Sequence, residues 1–190
     1  MNTTYLVRHG DAAGDENADP GLSDVGRSQV MSLADRFAAD AIAAVWHGPK
    51  RRARETAQLL ASRLGIGHWS TGLLDDRTPV PSAQFRSDYS ERRLAWFDQV
   101  PTEERDEDGS ALEAAWTELR SLPRSGPIVM VTHSFVISQF VALAIDAGPS
   151  SWMRLAVSNA GLSILDEDAE GGMVLRAFNE TAHTRGALSA

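Results

Sequence analysis

The sequence predicts a three-layer α/β/α sandwich with a mostly parallel central sheet and a C-terminal hairpin that adds edge strands. Three short apolar runs carry the prediction: Thr4–Val7 (TYLV), Ile42–Trp46 (IAAVW) and Ile128–Thr132 (IVMVT). Their continuous apolar character suits strands buried on both faces. Each run is followed by a helical pattern, the alternation expected of parallel strands covered by helices. Near the C terminus, two strand-like segments flank Gly171-Gly172, which reads as a hairpin.

The helices follow in order. Ser23 is the expected N-cap of the first, whose inward face carries Val30, Leu33, Ala34 and Phe37. The second buries Ala53, Thr56, Ala57, Leu60 and Leu64, then stops at Gly65. Residues 77–109 hold three prolines and an acidic cluster from Glu103 to Asp108. This stretch reads as an excursion over the active site, partly helical around Tyr89–Phe97, with the cluster a solvated loop. Its aromatics Phe85, Tyr89, Trp96 and Phe97 are expected to pack on the sheet. Ser110 and Glu113 form a capping-box signature ahead of Leu112, Trp116 and Leu119. A last, largely apolar helix presents Phe135, Ser138, Gln139, Ala142 and Ile145.

At 190 residues, with 43% hydrophobic and 23% charged side chains, the chain is expected to form one soluble domain over 1–190. Eighteen basic against 26 acidic residues give a net charge of −8. That balance argues against nucleic acid and anionic membranes as partners. The absence of cysteine removes disulfides, thiol nucleophiles and thiolate metal sites. No apolar run approaches the roughly 18 residues of a bilayer span. The N terminus shows no basic leader, so a cytoplasmic location is expected.

Chemistry collects where the apolar runs end. The first leads into Arg8-His9-Gly10, the second into an arginine-rich helix start (HGPKRRARETA), and the third into His133-Ser134. In an open parallel sheet, ligands bind beyond the carboxyl ends of the strands. Two imidazoles, arginines and helix N-termini gathered there describe an anion site, and phosphate fits it. A neutral imidazole can attack phosphorus while cations stabilise the oxygens. The five histidines lack the close spacing of a zinc site, and adjacent arginines would repel a cation. No metal or other cofactor is therefore expected. A serine hydrolase is disfavoured by the absence of G-x-S-x-G.

Taken together, these segments resemble the histidine phosphatase superfamily, with its phosphoglycerate-mutase-like fold. YLVRHG is similar to the family's nucleophile motif, which implies His9 as the phosphorylated residue and Arg8 as a phosphate ligand. GLSDVGRSQV resembles its L-[ST]-x-x-G-x-x-Q segment. HGPKRRARETA resembles S-x-x-x-R-A-x-x-T-A, with Gly48 in place of serine, and selects Arg52 as the second phosphate arginine. Arg51 and Arg54 are then solvated or structural. MVTHSFVI implies His133 as the second catalytic histidine, with Ser134 in place of the usual glycine and offering its N–H to phosphate. Gly10 would let the backbone pass close to the phosphate.

LLDDRTPVP is similar to the acid segment of the mitochondrial-type protein serine/threonine phosphatase branch, where a glutamate precedes Pro-x-Pro. The register favours Asp76 over Asp75 as general acid, one methylene shorter than the glutamate. Asp15 stands where the mutases keep an asparagine, and its charge opposes a second phosphate. The resemblance thus implies a metal-independent phosphatase acting on a phosphorylated small molecule or a phosphoprotein. The alternatives are a mutase-type phosphoryl transferase, a small-metabolite phosphatase and a non-enzymatic phosphoprotein-binding module.

Overall fold

A computed structural model describes residues 2–15 and 18–184. Among the described residues, eight strands and five α-helices follow one another as β1 (Thr3–Arg8), α1 (Asp24–Arg36), β2 (Ala44–His47), α2 (Arg51–Leu64), β3 (His68–Ser70), β4 (Thr78–Val80), α3 (Glu91–Phe97), β5 (Arg105–Glu107), α4 (Ser110–Ser121), β6 (Ile128–Thr132), α5 (Ser134–Ala144), β7 (Leu162–Glu167) and β8 (Met173–Glu180). Six strands form the main sheet in the order β3-β2-β6-β1-β7-β8. The first four are mutually parallel, and the β7–β8 hairpin joins β1 antiparallel through β7.

Helices cover both faces, as the alternation predicts. On one face Val30, Leu33 and Phe37 from α1 and the following turn meet Ala53, Ala57 and Leu60 of α2 over Tyr5, Val7 and Val45. On the other, Leu112, Trp116 and Leu119 of α4 meet Ile137, Phe140 and Val141 of α5 over Leu6 and Met130. Strand β6 slots between β1 and β2, with Arg8 opposite Thr132 in register. The chain leaves β1 for α1 on one face and leaves β6 for α5 on the other. The exits of β1 and β6 therefore flank a topological switch point, the usual place for a ligand in such sheets.

Most predicted helix ends agree. Ser23 Oγ accepts from Gly26 N at 3.0 Å, and Gly65 closes α2 in the left-handed region at φ 69°. Helix α5 is buried nearly all round, leaving Phe135 and Ile145 as its large exposed apolar side chains. The capping box at Ser110 does not form. Gly109 is the N-cap, and Ser110 already lies inside α4. The free amides of Ala111 and Leu112 instead donate to the two Asp106 oxygens, each at 2.9 Å.

That capping overturns the reading of Glu103–Asp108 as wholly solvated. Asp106 is buried within β5, which pairs in parallel with β4 to form a small second sheet. The excursion also contains α3, close to its expected position. Its aromatics divide: Phe97 is buried against Trp152, Val80 and Ala142 in a satellite core, while Phe85 and Trp96 remain exposed.

Asp106→Ala should lower unfolding free energy by about 1–2 kcal/mol, the usual cost of a lost helix cap, and Asp106→Asn by less. Urea denaturation of the two variants checks both.

Candidate active site

The two histidines arrive together because their strands are neighbours. The His9 amide donates to Thr132 O at 3.0 Å, continuing the β1–β6 ladder one residue past the strand end. The rings of His9 and His133 lie 5.1 Å apart, and both residues are buried. Together with Arg8, Asp76, Thr78, Glu104, Ser134 and Phe135 they line a pocket of about 320 Å³.

His9 is fixed by its neighbours. Its Nδ1 lies 2.8 Å from Gly10 O, so the proton sits on Nδ1 and Nε2 is the acceptor. Arg52 Nε donates to that Nε2 at 3.2 Å. Burial first, then nearby His133, and finally the Arg8 and Arg52 cations lower the His9 pKa to about 3, outweighing the Gly10 carbonyl. His9 is thus a neutral imidazole at physiological pH. His133 is also buried, and its Nε2 has no hydrogen-bond partner. A buried polar nitrogen of this kind calls for a ligand or water.

Gly10 has a different place from the one expected. Its N–H donates to Thr56 Oγ1 at 3.1 Å, and it is absent from the pocket wall. A Cβ there would sit 2.7 Å from Gly26 O, so the absence of a side chain lets the loop after β1 lie against α1. Ser23 Oγ donates to Asp11 Oδ2 at 2.6 Å, and Asp11 N donates to Gln29 Oε1 at 2.9 Å. The Ser23, Gly26 and Gln29 positions of the GLSDVGRSQV segment thus hold the loop that follows β1 and His9.

Among the arginines after β2, Arg52 is the buried one, while Arg51 and Arg54 are exposed and Arg51 pairs with Glu55 at 2.8 Å. Arg52 NH2 donates to Asp76 Oδ2 at 2.7 Å, which places the guanidinium behind the pocket wall, capped by the carboxylate. Arg8 NH1 donates to Val157 O at 2.8 Å, anchoring a side chain that lines the pocket. Ser134 opens α5, whose first amides have no partners within the helix.

Asp76 and Asp75 separate clearly. Asp75 Oδ1 accepts from the Asp76 N–H at 2.8 Å, a turn bond outside the pocket. Asp76 Oδ2 reaches both Arg52 and His133, lying 3.1 Å from His133 Nδ1 but off the line of a hydrogen bond. Burial pushes the Asp76 carboxyl up, yet His133 and Arg52 more than offset it and bring it down to about 2. Asp76 is therefore an ionised carboxylate at physiological pH.

Glu104 and Thr78 also line the pocket, and neither stands out in the sequence. Burial, followed by the Asp76 charge, raises the Glu104 pKa against the pull of Lys50, whose Nζ is 3.7 Å away. Glu104 sits inside the acidic run, where composition does not distinguish it from its solvated neighbours.

With this geometry, the comparison with known proteins is direct. Residues 4–181 match the histidine phosphatase superfamily (branch 1). The chain belongs to that superfamily. Its curated relatives include the rat serine/threonine-protein phosphatase PGAM5, mitochondrial, 24% identical over 93% of this chain and 62% of that protein. The chain thus spans less than two thirds of that relative's length. Structures sharing the fold include a mycobacterial glucosyl-3-phosphoglycerate phosphatase (TM-score 0.72, 22% identity, 96% of this chain and all of that one). Another is the phosphoserine phosphatase of Entamoeba histolytica (TM-score 0.71, 20% identity, 97% of this chain and all of that one). Among the described residues, no helix is long and apolar enough to cross a membrane.

The buried, neutral state of His9 has a cost at low pH. An unfolded histidine protonates near pH 6.5, whereas native His9 resists until about pH 3. Between those values the unfolded state binds the extra proton, so stability falls as pH falls. From about pH 7 to about pH 5, His9 should account for a loss of roughly 2 kcal/mol. His9→Gln removes that contribution, so its urea-unfolding free energy should fall less over the same interval.

Proposed function

We propose that the protein hydrolyses phosphate monoesters in two in-line steps through a phosphohistidine on His9. The observation that carries this reading is the buried His9–His133 pair lining a pocket with Arg8, with His9 held neutral and its Nε2 accepting from Arg52. His9 Nε2 attacks phosphorus as the ester P–O bond breaks. Arg8, His133 and the α5 N-terminus at Ser134 hold the phosphoryl oxygens, and Arg52 joins them as phosphate displaces Asp76 from its guanidinium.

That displacement supplies a general acid. An ionised Asp76 faced with a monoester monoanion accepts the P–OH proton once Arg52 is shared with phosphate. It then delivers the proton to the departing alkoxide, releasing the alcohol. In the second step Asp76, again a carboxylate, takes a proton from water as the water oxygen attacks the phosphoryl group. The phosphorus–nitrogen bond breaks and neutral His9 is restored. Gly10 takes part through its carbonyl, which keeps the proton on Nδ1. No step uses a metal. The relatives' named substrates support a monoester substrate in the two classes they represent, phosphorylated metabolite and phosphoprotein.

Incubation with labelled phosphate ester followed by rapid denaturation should trap acid-labile, base-stable phosphate on the protein. His9→Ala should trap none, and Arg52→Ala should lose about 10²–10³ in kcat. Para-nitrophenyl phosphate turnover should persist in EDTA. Trapping in His9→Ala, or loss of turnover in EDTA, contradicts the scheme.

A further inference from the structure

The phosphate pocket opens into a second groove, and Thr78, Glu104 and Phe135 line both. Beyond them the groove runs between Trp96 and the Val100-Pro101 corner. Trp96 and Phe135 meet edge to face with ring centroids 5.5 Å apart, and they are 38% and 36% exposed. Two large aromatic rings left open to water beside a polar pocket mark a surface suited to cover by a ligand. The rings are backed by others: Phe97 is 5.1 Å from Trp96, and Trp152 is 5.5 Å from Phe135. The platform is thus braced before anything binds.

The charges around the groove narrow what it accepts. Glu104 lines both the pocket and the groove, on the way from the histidines to Trp96. Lys50 is occupied by Glu104 at 3.7 Å. Arg105 NH1 is turned to the backbone, donating to Phe97 O and Val100 O at 3.0 and 3.3 Å. Arg93 lies farther out, past Trp96. A carboxylate two or three bonds from the ester oxygen would face Glu104 before it reached Arg93.

From this arrangement we infer that the substrate is a phosphate monoester of an uncharged alcohol bearing an aromatic or comparably flat apolar group. Its ring seats against Trp96 and Phe135, and Glu104 turns away monoesters that carry a carboxylate near the ester oxygen. The inference rests on the phosphatase reading above and specifies the alcohol side of the same site.

A set of primary alkyl phosphates tests it without changing the type of leaving alkoxide: 2-phenylethyl phosphate, ethyl phosphate, phosphoserine and 3-phosphoglycerate. For the unmodified protein, kcat/KM for 2-phenylethyl phosphate should exceed that for ethyl phosphate by about 30-fold, within the range of apolar-pocket discrimination. It should exceed the two carboxylated esters by about 100-fold, since like charge adds to the lost contact. Trp96→Ala should reduce the phenylethyl-to-ethyl ratio by about tenfold. Phe135→Leu keeps an apolar side chain on α5, and should reduce it by about threefold even if Trp96→Ala loosens the aromatic cluster. Glu104→Gln should raise the 3-phosphoglycerate-to-ethyl ratio by about tenfold.

Equal or better turnover of phosphoserine or 3-phosphoglycerate than of 2-phenylethyl phosphate overturns the inference. So does a phenylethyl-to-ethyl ratio unchanged in both aromatic variants, or a 3-phosphoglycerate ratio unchanged in Glu104→Gln. Hydrolysis of none of the four, with no phosphate trapped on His9, instead overturns the phosphatase reading and the substrate assignment with it.

Discussion

A single buried cation organises this site. The Arg52 side chain is 1% exposed, and a guanidinium so far from water must be met by acceptors. It donates to His9 Nε2 on one side and Asp76 Oδ2 on the other, and Asp19 Oδ1 lies 3.7 Å from its Nη1. The same cation therefore orients the His9 ring, adds to burial and His133 in opposing its protonation, and joins His133 in keeping the carboxylate ionised. One turn along α2, Thr56 Oγ1 donates to Arg52 O at 2.8 Å and accepts the Gly10 amide. The register of one helix against one strand exit thus sets His9, its neighbouring cation and the carboxylate as a unit. Such groups act together, so their single substitutions need not add.

The histidine-lined pocket and the aromatic groove have opposite physical demands, and the fold draws them from different elements. The histidines and arginines stand on the main sheet and its helices, where backbone ladders limit movement. Thr78 and Glu104 belong to the excursion, and Trp96 lies on the short helix α3. Phe135, in the first turn of α5, touches both regions. A fixed platform for one chemistry is thereby joined to a wall whose side chains can vary without disturbing it.

Much of this was legible because strand exits announce themselves. A continuous apolar run that ends in Arg-His or His-Ser tells where the sheet stops and what stands there. The short strands were harder. In β3, His68–Ser70 carries little apolar signal, because all three residues are exposed at the sheet edge. Strands β4 and β5 have three residues each and pair with one another rather than with the main sheet. Asp106 and Glu104 sit two residues apart in one acidic run, yet one caps α4 and the other lines the pocket of His9 and His133. Charge composition alone is the same for a solvated carboxylate, a cap and a pocket residue. Only the path of the backbone separates them. Ser110 misled for a related reason: the Asp106 carboxylate reaches the α4 amides from another element, a bond that local spacing cannot reveal.

Two departures from the family pattern belong together in space. Gly48 replaces a serine just after β2, and Asp76 replaces a glutamate in the segment that packs over it. A Cβ on Gly48 would lie 2.2 Å from Leu74 O and 2.9 Å from Leu74 C, so only glycine admits the backbone of that segment so close. Thr132 Oγ1 donates to Leu74 O at 2.8 Å and pins the segment to the end of β6, one residue before His133. A carboxylate on a shorter side chain reaches Arg52 at 2.7 Å and His133 at 3.1 Å from a backbone drawn inward in this way. The missing methyl-sized volume at position 48 thus accommodates the approach through which the missing methylene at position 76 is made up. The shorter aspartate thus still reaches both the buried guanidinium and the second histidine.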